Sequence, residues 1–537
     1  MDYLGKERRL RIAFTSSFPH EPAVFNVMPS PALDWPHTMS NGLCLYTEEA
    51  RPVTDTPEAS IRYSYEQVAA LIRLSLAGSD PIKREAEFAG EIRSYWEAQL
   101  PFVSHRLTLV ALPDKSDPLE VVSDYSNLQQ RNQRYLVAPT HDQISAFERR
   151  LGRFRVKPRA VAQAAFFLKL IGIPPPRLPL GNGDFLGWVA PFVDPEELPR
   201  FQLWLDRTNG TGSRWVVLAL PSGPTALQAF YMTAPGVDPK RRRVFGRRTQ
   251  RRQTPRAAKP HTLSLTPIDV LDPQVIHQRA GAAALALANK KVVLIGAGSL
   301  GGELAKSLAR AGVGRLVILD PEQLEDANVG RHTLGALDLG RSKAQALADH
   351  INQNIPTVEV IAIEATVQSA SKRLGAYLAD AELVVVTTAN WRSETYLWSL
   401  KAAGTSWSLI QAWSEPHALV GHALIAPPGA FDARPLFDRG VFRHRLTTWP
   451  RNGVIPLPAC GQSYIPGGGV ALGRIGGMIA SCALRTLENP PDCPRWHSTV
   501  GDLDRLDALE GRYDGPSMPD GLTFFECAHD WPSASDA

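Results

Sequence analysis

The parts of this 537-residue chain that could do chemistry are one glycine-rich loop and two cysteines far apart in the sequence. The loop contains Gly296, Gly298 and Gly301 and begins at the end of the apolar run KVVLIG, and Asp320 ends the next apolar run, 24 residues after Gly296. Glycines let the backbone turn tightly and approach phosphate, and a helix that follows offers free N–H groups. An acid at this spacing is typical of a carboxylate that binds a ribose hydroxyl. The loop alone fits NAD, FAD, S-adenosylmethionine or ATP, or helix–strand packing without a ligand.

The two cysteines are candidate nucleophiles because of their sequence contexts. Cys460 lies in PLPACGQSYIPGGG, a loop-forming stretch before a predicted helix at 470–487, and Cys44 lies in NGLCLY. A cysteine that forms a thioester needs an accessible thiolate on an exposed segment. The alternative for each is a small buried residue, since free cysteine is often buried. Cys482 and Cys493 are interpreted as structural.

Positive charge just beyond Asp320 helps to distinguish between the possible nucleotides. Residues 326–343 read DANVGRHTLGALDLGRSK and supply Arg331 and Lys343. A dinucleotide needs little positive charge there. A triphosphate needs it, because the departing pyrophosphate gains negative charge that must be stabilised. The segment therefore favours ATP.

These motifs together carry a family resemblance. IGAGSLGG, ILDPEQLEDANVGRHTLG and GRSKAQAL resemble the ubiquitin-activating enzyme superfamily, including bacterial adenylyltransferases that activate ubiquitin-fold sulfur carriers, over about residues 269–489. The resemblance implies a doubly wound Rossmann-like adenylation domain that uses ATP and Mg²⁺. It implies that ribose is bound by Asp320 and Asn328, and phosphates by Arg331 and Lys343.

The resemblance also extends to Arg279, in VIHQRAG. It resembles the arginine that enters the ATP site of the partner protomer, which would imply a homodimer. The alternative is an ordinary surface arginine.

One segment departs from the family pattern. The family usually has an Asp-x-Thr-Asp-Asn-like segment that helps to hold magnesium, and here residues 386–390 read VTTAN. Val386 and Ala389 fill both carboxylate positions, so magnesium would lose its protein anchor. Asp380 and Glu382 lie at the wrong end of the predicted strand to replace them.

The context of Cys44 resembles the ubiquitin-conjugating fold. The features that carry this resemblance are Phe18-Pro19, Pro22, the apolar run 23–27, Pro36-His37, Gly42 and Cys44-Leu45, followed by EFAGEIRSYW at 87–96. Pro36 stands where the eukaryotic pattern has an oxyanion-stabilising asparagine, and His37 either orders the loop or takes part in catalysis. Asn41 also lies nearby, at another spacing. The first helix and two strands of that fold are missing before Leu10, and we expect that the sequence starts too late.

The composition excludes several classes of protein. Lys and Arg number 58 against 54 Asp and Glu, so the net charge of +4 makes nucleic-acid binding unlikely. Five cysteines without a CxxC pair argue against a zinc site of the paired-CxxC type and fit a reducing cytosol. The N-terminus lacks the apolar core of a signal peptide. The stretch 470–484 is too short to span a bilayer and contains Arg474, so a cytoplasmic protein without a membrane span is predicted.

Apolar patterning predicts how the chain is divided. Strands are predicted at 10–14, 107–112 and 215–220, and helices at 65–77, 85–96 and near 159–170. The predicted domains are an α+β ubiquitin-conjugating-like domain at 1–100, an α/β intermediate domain at 101–235, a basic linker at 236–265, the α/β adenylation domain at 266–490 and a C-terminal tail at 491–537. Residues 101–235 carry no motif that we can assign.

An ATP site and two cysteines predict a relay of an acyl group. A carboxylate is a poor acyl donor until it is adenylated, after which Cys460 captures it and Cys44 accepts it before transfer to a target amine. The domain order resembles the transferase of type II CBASS anti-phage operons, which implies as partner the C-terminus of a cGAS-like nucleotidyltransferase. The alternatives are conjugation of a bacterial ubiquitin-like protein and a nucleotide-binding scaffold without turnover. A sulfur-carrier adenylyltransferase would leave the front 260 residues unexplained.

Overall fold

The computed structural model describes residues 1–39, 42–46, 56–124, 134–152, 164–179, 182–208, 212–233, 263–278, 282–456 and 463–531. The chain forms two compact units. The front unit comprises Met1–Ile144 and Val156–Val270, and the back unit comprises Ser145–Arg155 and Leu271–Ala537.

The elements up to Val270 mix helices and strands. The helices are α1 (Pro57–Ser75), α2 (Pro81–Gly90), α3 (Ile92–Gln99), α4 (His141–Arg150), α5 (Asn182–Val189) and α6 (Leu198–Thr208). The strands are β1 (Arg9–Ala13), β2 (Val24–Met28), β3 (Thr38–Met39), β4 (Gly42–Leu43), β5 (Arg106–Leu109), β6 (Asp117–Asp124), β7 (Arg134–Ala138), β8 (Ala164–Lys169), β9 (Arg214–Ala219), β10 (Leu227–Met232), β11 (Leu263–Thr266) and β12 (Ile268–Val270).

A mixed eight-stranded sheet forms most of the front unit, in the order β11-β10-β9-β8-β6-β7-β5-β12. Its two end strands are separated in the chain only by Pro267, which has no N–H to continue the hydrogen-bond ladder. The Val103 N–H donates to Leu265 O and the Leu107 N–H donates to Pro267 O, so the sheet curves until its ends meet. Before this sheet, β1 pairs with β2 and β3 with β4 in two small antiparallel sheets.

The prediction of a helix near 159–170 is wrong, because β8 occupies Ala164–Lys169. This strand lies between β9 and β6, and its residues Ala165–Leu168 are all buried. Phe166 packs into the aromatic cluster on one face of the sheet and Phe167 into the cluster on the other face. A strand covered on both faces is continuously apolar and cannot be told from a buried helix by its periodicity.

The other predicted elements of the front unit are present with changed bounds. The strands at 10–14, 107–112 and 215–220 correspond to β1, β5 and β9, and the helix at 65–77 is the second half of α1. The Thr56 hydroxyl caps α1 by accepting the Ala59 N–H, which places the start of the helix earlier than the apolar pattern did. The single helix predicted at 85–96 is divided at Glu91 into α2 and α3.

The elements of the back unit after Leu271 alternate at first between strand and helix. The helices are α7 (Pro273–Ile276), α8 (Ala282–Leu287), α9 (Ser299–Ala311), α10 (Asp326–Val329), α11 (Lys343–Asn354), α12 (Ser371–Ala379), α13 (Trp391–Ala402) and α14 (Gly469–Glu488). The strands are β13 (Lys291–Ile295), β14 (Arg315–Leu319), β15 (Glu359–Ile363), β16 (Leu383–Val386), β17 (Ser408–Ser414), β18 (Val420–Ala426), β19 (Phe437–Asp438), β20 (Val441–Phe442), β21 (Thr447–Thr448), β22 (Ile455–Pro456), β23 (Ser463–Tyr464), β24 (Arg495–Gly501), β25 (Arg512–Tyr513) and β26 (Phe524–His529).

The back unit has the predicted doubly wound α/β architecture. Its sheet has the order β15-β14-β13-β16-β17-β18-β24-β26, with the first five strands parallel and the last three antiparallel. The strand order reverses next to β13, between β14 and β16. In such sheets ligands bind at the carboxyl ends of the strands at this switch point. The prediction that residues 491–537 form a separate C-terminal tail is corrected, because β24 and β26 lie within this range and extend the sheet.

The prediction that the apolar stretch at 470–484 is too short to cross a bilayer is corrected, because this stretch is part of the longer helix α14. At 20 residues it is the one helix among the described residues that is long and apolar enough to do so, and 61% of its apolar 18-residue stretch is buried inside the protein. Leu472, Ile475 and Ile479 belong to the core cluster that α9 also joins. Such burial is typical of a core helix.

The linker predicted at 236–265 lies outside the described residues except for its last three. These three residues begin β11, where Leu263 and Leu265 are buried. The division of the front unit into a domain at 1–100 and one at 101–235 stays a prediction.

Candidate nucleotide cleft and cysteine sites

The glycine loop connects β13 to α9 and requires glycine at two positions for different reasons. Gly296 has a φ of +99°, and its N–H donates to Leu319 O over 2.8 Å. A Cβ on Gly301 would lie 1.9 Å from Gly296 O, so only glycine lets the helix approach the strand this closely. Gly301 therefore contributes packing, whereas Gly296 shapes the turn that faces a ligand.

Asp320 lies at the carboxyl end of β14 and is almost fully buried. Its Oδ2 accepts the Ala297 N–H over 2.7 Å and its Oδ1 accepts the Glu322 N–H over 2.8 Å. Burial raises the pKa of Asp320, and these hydrogen bonds oppose the rise. Each oxygen keeps a lone pair with which it could accept a ribose hydroxyl, so the position suits the predicted role.

A cleft of about 1100 Å³ opens at the carboxyl ends of β13, β14 and β16. The predicted residues Gly296, Gly298 and Asp320 line it, as do Thr387 and the start of α13. Its volume is slightly above the range that small-molecule and cofactor sites usually have, about 300–1000 Å³. The cleft is therefore large enough to hold a nucleotide such as ATP, with Asp320 on its lining for the ribose.

The segment with Asn328 and Arg331 is fastened to the glycine loop by a histidine that the sequence reasoning missed. His332 Nε2 donates to Ala297 O over 2.6 Å, while its Nδ1 accepts the Leu334 N–H over 3.0 Å. Burial lowers the pKa of His332, which keeps the imidazole neutral as this pattern requires. The side chain of Asn328 accepts the Glu325 N–H over 3.1 Å at the start of α10. Asn328 and Arg331 thus lie beside the loop, with the Asn328 amide oxygen already engaged.

Lys343 begins α11 and is buried beside Asp320. Its Nζ lies 2.6 Å from Glu322 Oε2, and the Glu322 side chain is 68% exposed. The Lys343 charge also acts on Asp320, since it opposes the rise of that pKa. The predicted phosphate ligand is therefore close to the cleft, and an exposed glutamate holds its ammonium group.

The wall that would carry a metal has no carboxylate at the expected positions. Val386 is fully buried in β16, and Ala389 lines the cleft with a φ of +47°. Asp380 binds Lys291 at the opposite end of the sheet. Within the described ranges, no group of three or more His, Cys, Asp or Glu residues could hold a metal ion. The residues present therefore do not fit the magnesium site that the family resemblance implied.

A buried glutamate supports the turn at Ala389. Glu394 Oε1 accepts the Asn390 N–H over 3.1 Å and the Thr388 hydroxyl over 3.3 Å, and its Oε2 accepts the Gln411 amide over 3.0 Å. Burial raises the pKa of Glu394. This carboxylate is engaged in holding the turn. No sequence motif pointed to it, and its partner Gln411 comes from β17, a strand that lies beyond α13 in the sequence.

Cys460 and Arg279 lie outside the described residues, but the structure defines where the segment with Cys460 leaves and returns. β22 pairs with β23, so Pro456 and Ser463, the described residues on either side of this segment, lie opposite each other. Farther along, a Cβ on Gly469 at the start of α14 would lie 3.0 Å from Gly330 O. The chain that follows Cys460 therefore reaches the segment that contains Arg331.

A buried, hydrogen-bonded glutamate fixes the chain that leads towards Cys460. Glu415 accepts the Leu446 N–H over 2.8 Å and the Thr447 N–H over 2.7 Å, and His422 Nε2 lies 2.8 Å from its Oε1. Burial alone would raise the pKa of Glu415, but the contacts with His422 and Thr447 lower it overall. On the other side, the His417 N–H donates to Pro466 O. Both ends of the segment are thus held at the turn between β17 and β18.

Cys44 follows β4 and is half-buried at a pocket of about 280 Å³. The Cys44 N–H donates to His37 O over 2.7 Å, and His37 itself lies between two carboxylates. Its Nδ1 is 3.0 Å from Glu91 and its Nε2 is 3.0 Å from Glu87. Contact with Glu91, then with Glu87, raises the pKa of His37 against the effect of burial. The backbone N–H of His37 donates to the Tyr95 hydroxyl.

This geometry favours His37 as a residue that orders the loop of Cys44. The partners Glu87, Glu91 and Tyr95 are spaced four residues apart in the predicted EFAGEIRSYW segment, so the structure brings that segment and Cys44 together. From the sequence we did not identify Glu87 and Glu91 as residues that line the pocket, or Tyr95 as a partner of His37, although their helical spacing was a usable signal. Pro36 donates no hydrogen bond from its backbone nitrogen, as expected for proline.

Comparison with known proteins gives one family match. Residues 271–414 match the ThiF family. The ATP-dependent ubiquitin transferase-like protein Cap2 of Enterobacter hormaechei is 45% identical over 76 residues, which are 14% of this chain and 13% of that protein. Cap2 of Pseudomonas aeruginosa is 34% identical over 114 residues, 20% of this chain and 21% of that protein. The catalytic subunit of the Nedd8-activating enzyme E1 of Drosophila melanogaster is 44% identical over 71 residues, 13% and 16% of the two chains.

The solved structures with similar folds are more distant. The crystal structure of PaaA is 17% identical with a TM-score of 0.32, and covers 43% of this chain and 74% of that chain. The structure of Escherichia coli MccB is 14% identical with a TM-score of 0.31, and covers 41% and 63%. The alignments with the curated relatives above span about a fifth or less of each relative's length.

The predicted resemblance is confirmed for residues 271–414. The family match covers the glycine loop, Asp320, Lys343 and the turn at Ala389, and the relatives are named as ubiquitin transferase-like proteins and as the catalytic subunit of a Nedd8-activating enzyme. This part of the chain is therefore similar to the ThiF family and to bacterial Cap2 proteins. The resemblance of the region around Cys44 to a conjugating fold stays a prediction.

Proposed function

We propose that this chain activates the C-terminal carboxylate of a partner protein with ATP and transfers it through two cysteines to a target amine. The observation that carries the proposal is the junction at Gly469. There the chain that follows Cys460 packs against Gly330, next to Arg331, in the segment that His332 fastens to the glycine loop. This contact supports the proposal, because it brings described chain that follows Cys460 next to Arg331, a predicted phosphate ligand.

The chemistry proceeds in four displacements. A carboxylate oxygen attacks the α-phosphorus of ATP and pyrophosphate leaves. The Cys460 thiolate attacks the resulting acyl-adenylate and AMP leaves. The Cys44 thiolate then displaces Cys460, and an amine finally displaces Cys44 and loses a proton. Both cysteines are on one chain, which raises their effective concentration for each other.

In this proposal the residues of the cleft bind and orient ATP. Asp320 accepts a ribose hydroxyl, and Arg331 and Lys343 stabilise the charge of the departing pyrophosphate. Arg279 completes the site from a second protomer of a cytoplasmic homodimer. His37 orders the loop of Cys44, because its contacts with Glu87 and Glu91 hold it beside that residue.

The proposed partner is the C-terminus of a cGAS-like nucleotidyltransferase, and a bacterial ubiquitin-like protein is the alternative. The similarity to Cap2 proteins supports a ubiquitin-type reaction but does not distinguish the two partners. Each candidate can be tested separately, since only the correct C-terminus will support exchange of labelled pyrophosphate into ATP.

The test combines pyrophosphate exchange with non-reducing gels. With ATP and the correct partner, we expect an adduct that dithiothreitol removes, and two successive adducts when time points are resolved. Cys460→Ala should abolish both adducts, whereas Cys44→Ala should let the adduct on Cys460 accumulate. Cys493→Ala is the matched control, because Cys493 is exposed and should not affect transfer.

A nucleotide-binding scaffold without turnover is the second candidate function. Val386 and Ala389 favour it, because they remove the carboxylates that would anchor magnesium. A scaffold predicts ATP binding without pyrophosphate exchange and without adducts on either cysteine. Exchange with either partner would exclude it.

A further inference from the structure

One wall of the nucleotide cleft is positively charged where a metal-binding wall would be negative. Arg392 lies in the first turn of α13 and lines the cleft. Its side chain is exposed, and it has no ion-pair partner among the described residues. On the same wall, Val386 and Ala389 provide no carboxylate. A divalent cation would be repelled here, whereas an anion would be attracted.

The start of α13 adds to this positive potential. The helix has 12 residues, and its first residues, Trp391, Arg392 and Ser393, all line the cleft. The Asn390 side chain caps it by accepting the Ser393 N–H over 3.1 Å. The positive end of a helix dipole favours phosphate, and the effect is strongest at the first turn.

The nearby carboxylates are already engaged. Glu394 faces inward and accepts hydrogen bonds from Thr388, Asn390 and Gln411. Glu322, across the cleft, binds Lys343. Asp320, which also lines the cleft, accepts two backbone N–H groups, and none of these three acids forms an ion pair with Arg392 among the described residues.

We propose that Arg392 binds the phosphates of ATP directly and that nucleotide binding in this cleft does not depend on a protein-bound metal. The inference rests on the proposed function, because it takes ATP as the ligand. A guanidinium suits this task, since it stays charged and can form two parallel hydrogen bonds with phosphate oxygens. Adenosine, which has no phosphate, should not depend on Arg392.

Calorimetric titration of the full chain with ATP, with either EDTA or MgCl₂ present, tests this. We expect the ATP affinity of the wild type in EDTA to be within about threefold of that in MgCl₂. Arg392→Ala should weaken ATP binding in EDTA by about 10- to 100-fold, which is the usual range for a hydrogen-bonded charged pair. Arg392→Lys should recover part of the loss, and adenosine affinity should not change.

The matched control is Arg373→Ala, which removes one exposed arginine from α12, outside the cleft lining. Equal ATP affinities for Arg392→Ala and Arg373→Ala would overturn the inference, as would a wild type that binds ATP only with MgCl₂. If the wild type binds no ATP under either condition, both this inference and the proposed function are wrong. ATP binding without pyrophosphate exchange would overturn only the proposed function. Thermal unfolding of each variant verifies that it is folded.

Discussion

The nucleotide cleft and the Cys44 pocket are positioned in different ways. In the cleft the backbone does most of the positioning: Gly296 turns at a positive φ, and two backbone N–H groups hold Asp320. In the Cys44 pocket, side chains do it, because His37 reaches Glu87 and Glu91, 50 and more residues away. The geometry around Asp320 is therefore determined by backbone contacts within residues 296–322. The Cys44 pocket, in contrast, forms only when the helices α2 and α3 pack against the loop that contains His37.

The largest effect that tests this comparison is expected at Gly301. Gly301→Val places a side chain where even a Cβ would lie 1.9 Å from Gly296 O, so the free energy of unfolding should fall by about 3 kcal/mol or more. Gly298→Ala is the control, since nothing lies within 4 Å of its Cβ position. Urea denaturation measures both. Equal stabilities would mean that backbone proximity does not organise the loop.

The next effect concerns the ligand and not the fold. Asp320→Ala removes the carboxylate that we propose for the ribose, and should weaken ATP binding by roughly 10-fold or more. It also leaves the Ala297 N–H without its partner, so some loss of stability is expected. Calorimetry with ATP and with inorganic triphosphate separates the two causes, because triphosphate binding should change much less. A similar loss for both ligands would show that the loop itself had changed.

The contribution of His37 in the Cys44 pocket to stability should depend on pH. The pKa of His37 is raised in the folded protein, so its stabilising charge is fully present below its unfolded value near 6.5 and is lost as the pH rises through the folded value. His37→Gln should remove roughly 1 kcal/mol of stability at pH 6 and much less at pH 9. Urea denaturation across this range measures it. A pH-independent difference would contradict the ion-pair arrangement.

The smallest effect is expected at the rim of the cleft. Glu322→Gln removes a mostly exposed partner of Lys343, so the stability should change by less than about 0.5 kcal/mol. The Lys343 ammonium is then free to interact with phosphate, and ATP affinity should rise about two- to threefold. Titration calorimetry checks the sign. A weaker affinity would place Glu322 among the groups that support binding.

Much of the back unit could be predicted from the sequence because its signals are local. The strands KVVLI and RLVIL are buried on both faces, so their sequences are continuously apolar. Gly296 is needed for the turn after the first of these strands, and Gly301 is needed because α9 approaches the backbone of Gly296 closely. The same local reading failed for Ala164–Lys169. There an equally apolar run was taken for a helix, since only its place in the middle of a sheet identifies it as a strand.

Several residues of the sites could not be found in this way. Glu394 is buried under the turn at Ala389 and also binds Gln411 of β17, and His332 binds Ala297, 35 residues earlier in the chain. Glu415 directly follows β17, binds His422 of the neighbouring β18, and accepts N–H groups from residues some 30 positions farther on. A pattern of residue types carries no information about such pairs until the chain is folded.

The sequence by itself determined the glycine turn, the acid at the end of β14, the alternation of strand and helix, and the loss of carboxylates at Val386 and Ala389. These depend on backbone geometry and residue type within short stretches of chain. Only the tertiary structure decided that α13 presents Arg392 to the cleft, that Lys343 is held by Glu322, and that His37 lies between two glutamates. Those contacts depend on which elements pack together, because charges act through distance in space and not through separation along the chain.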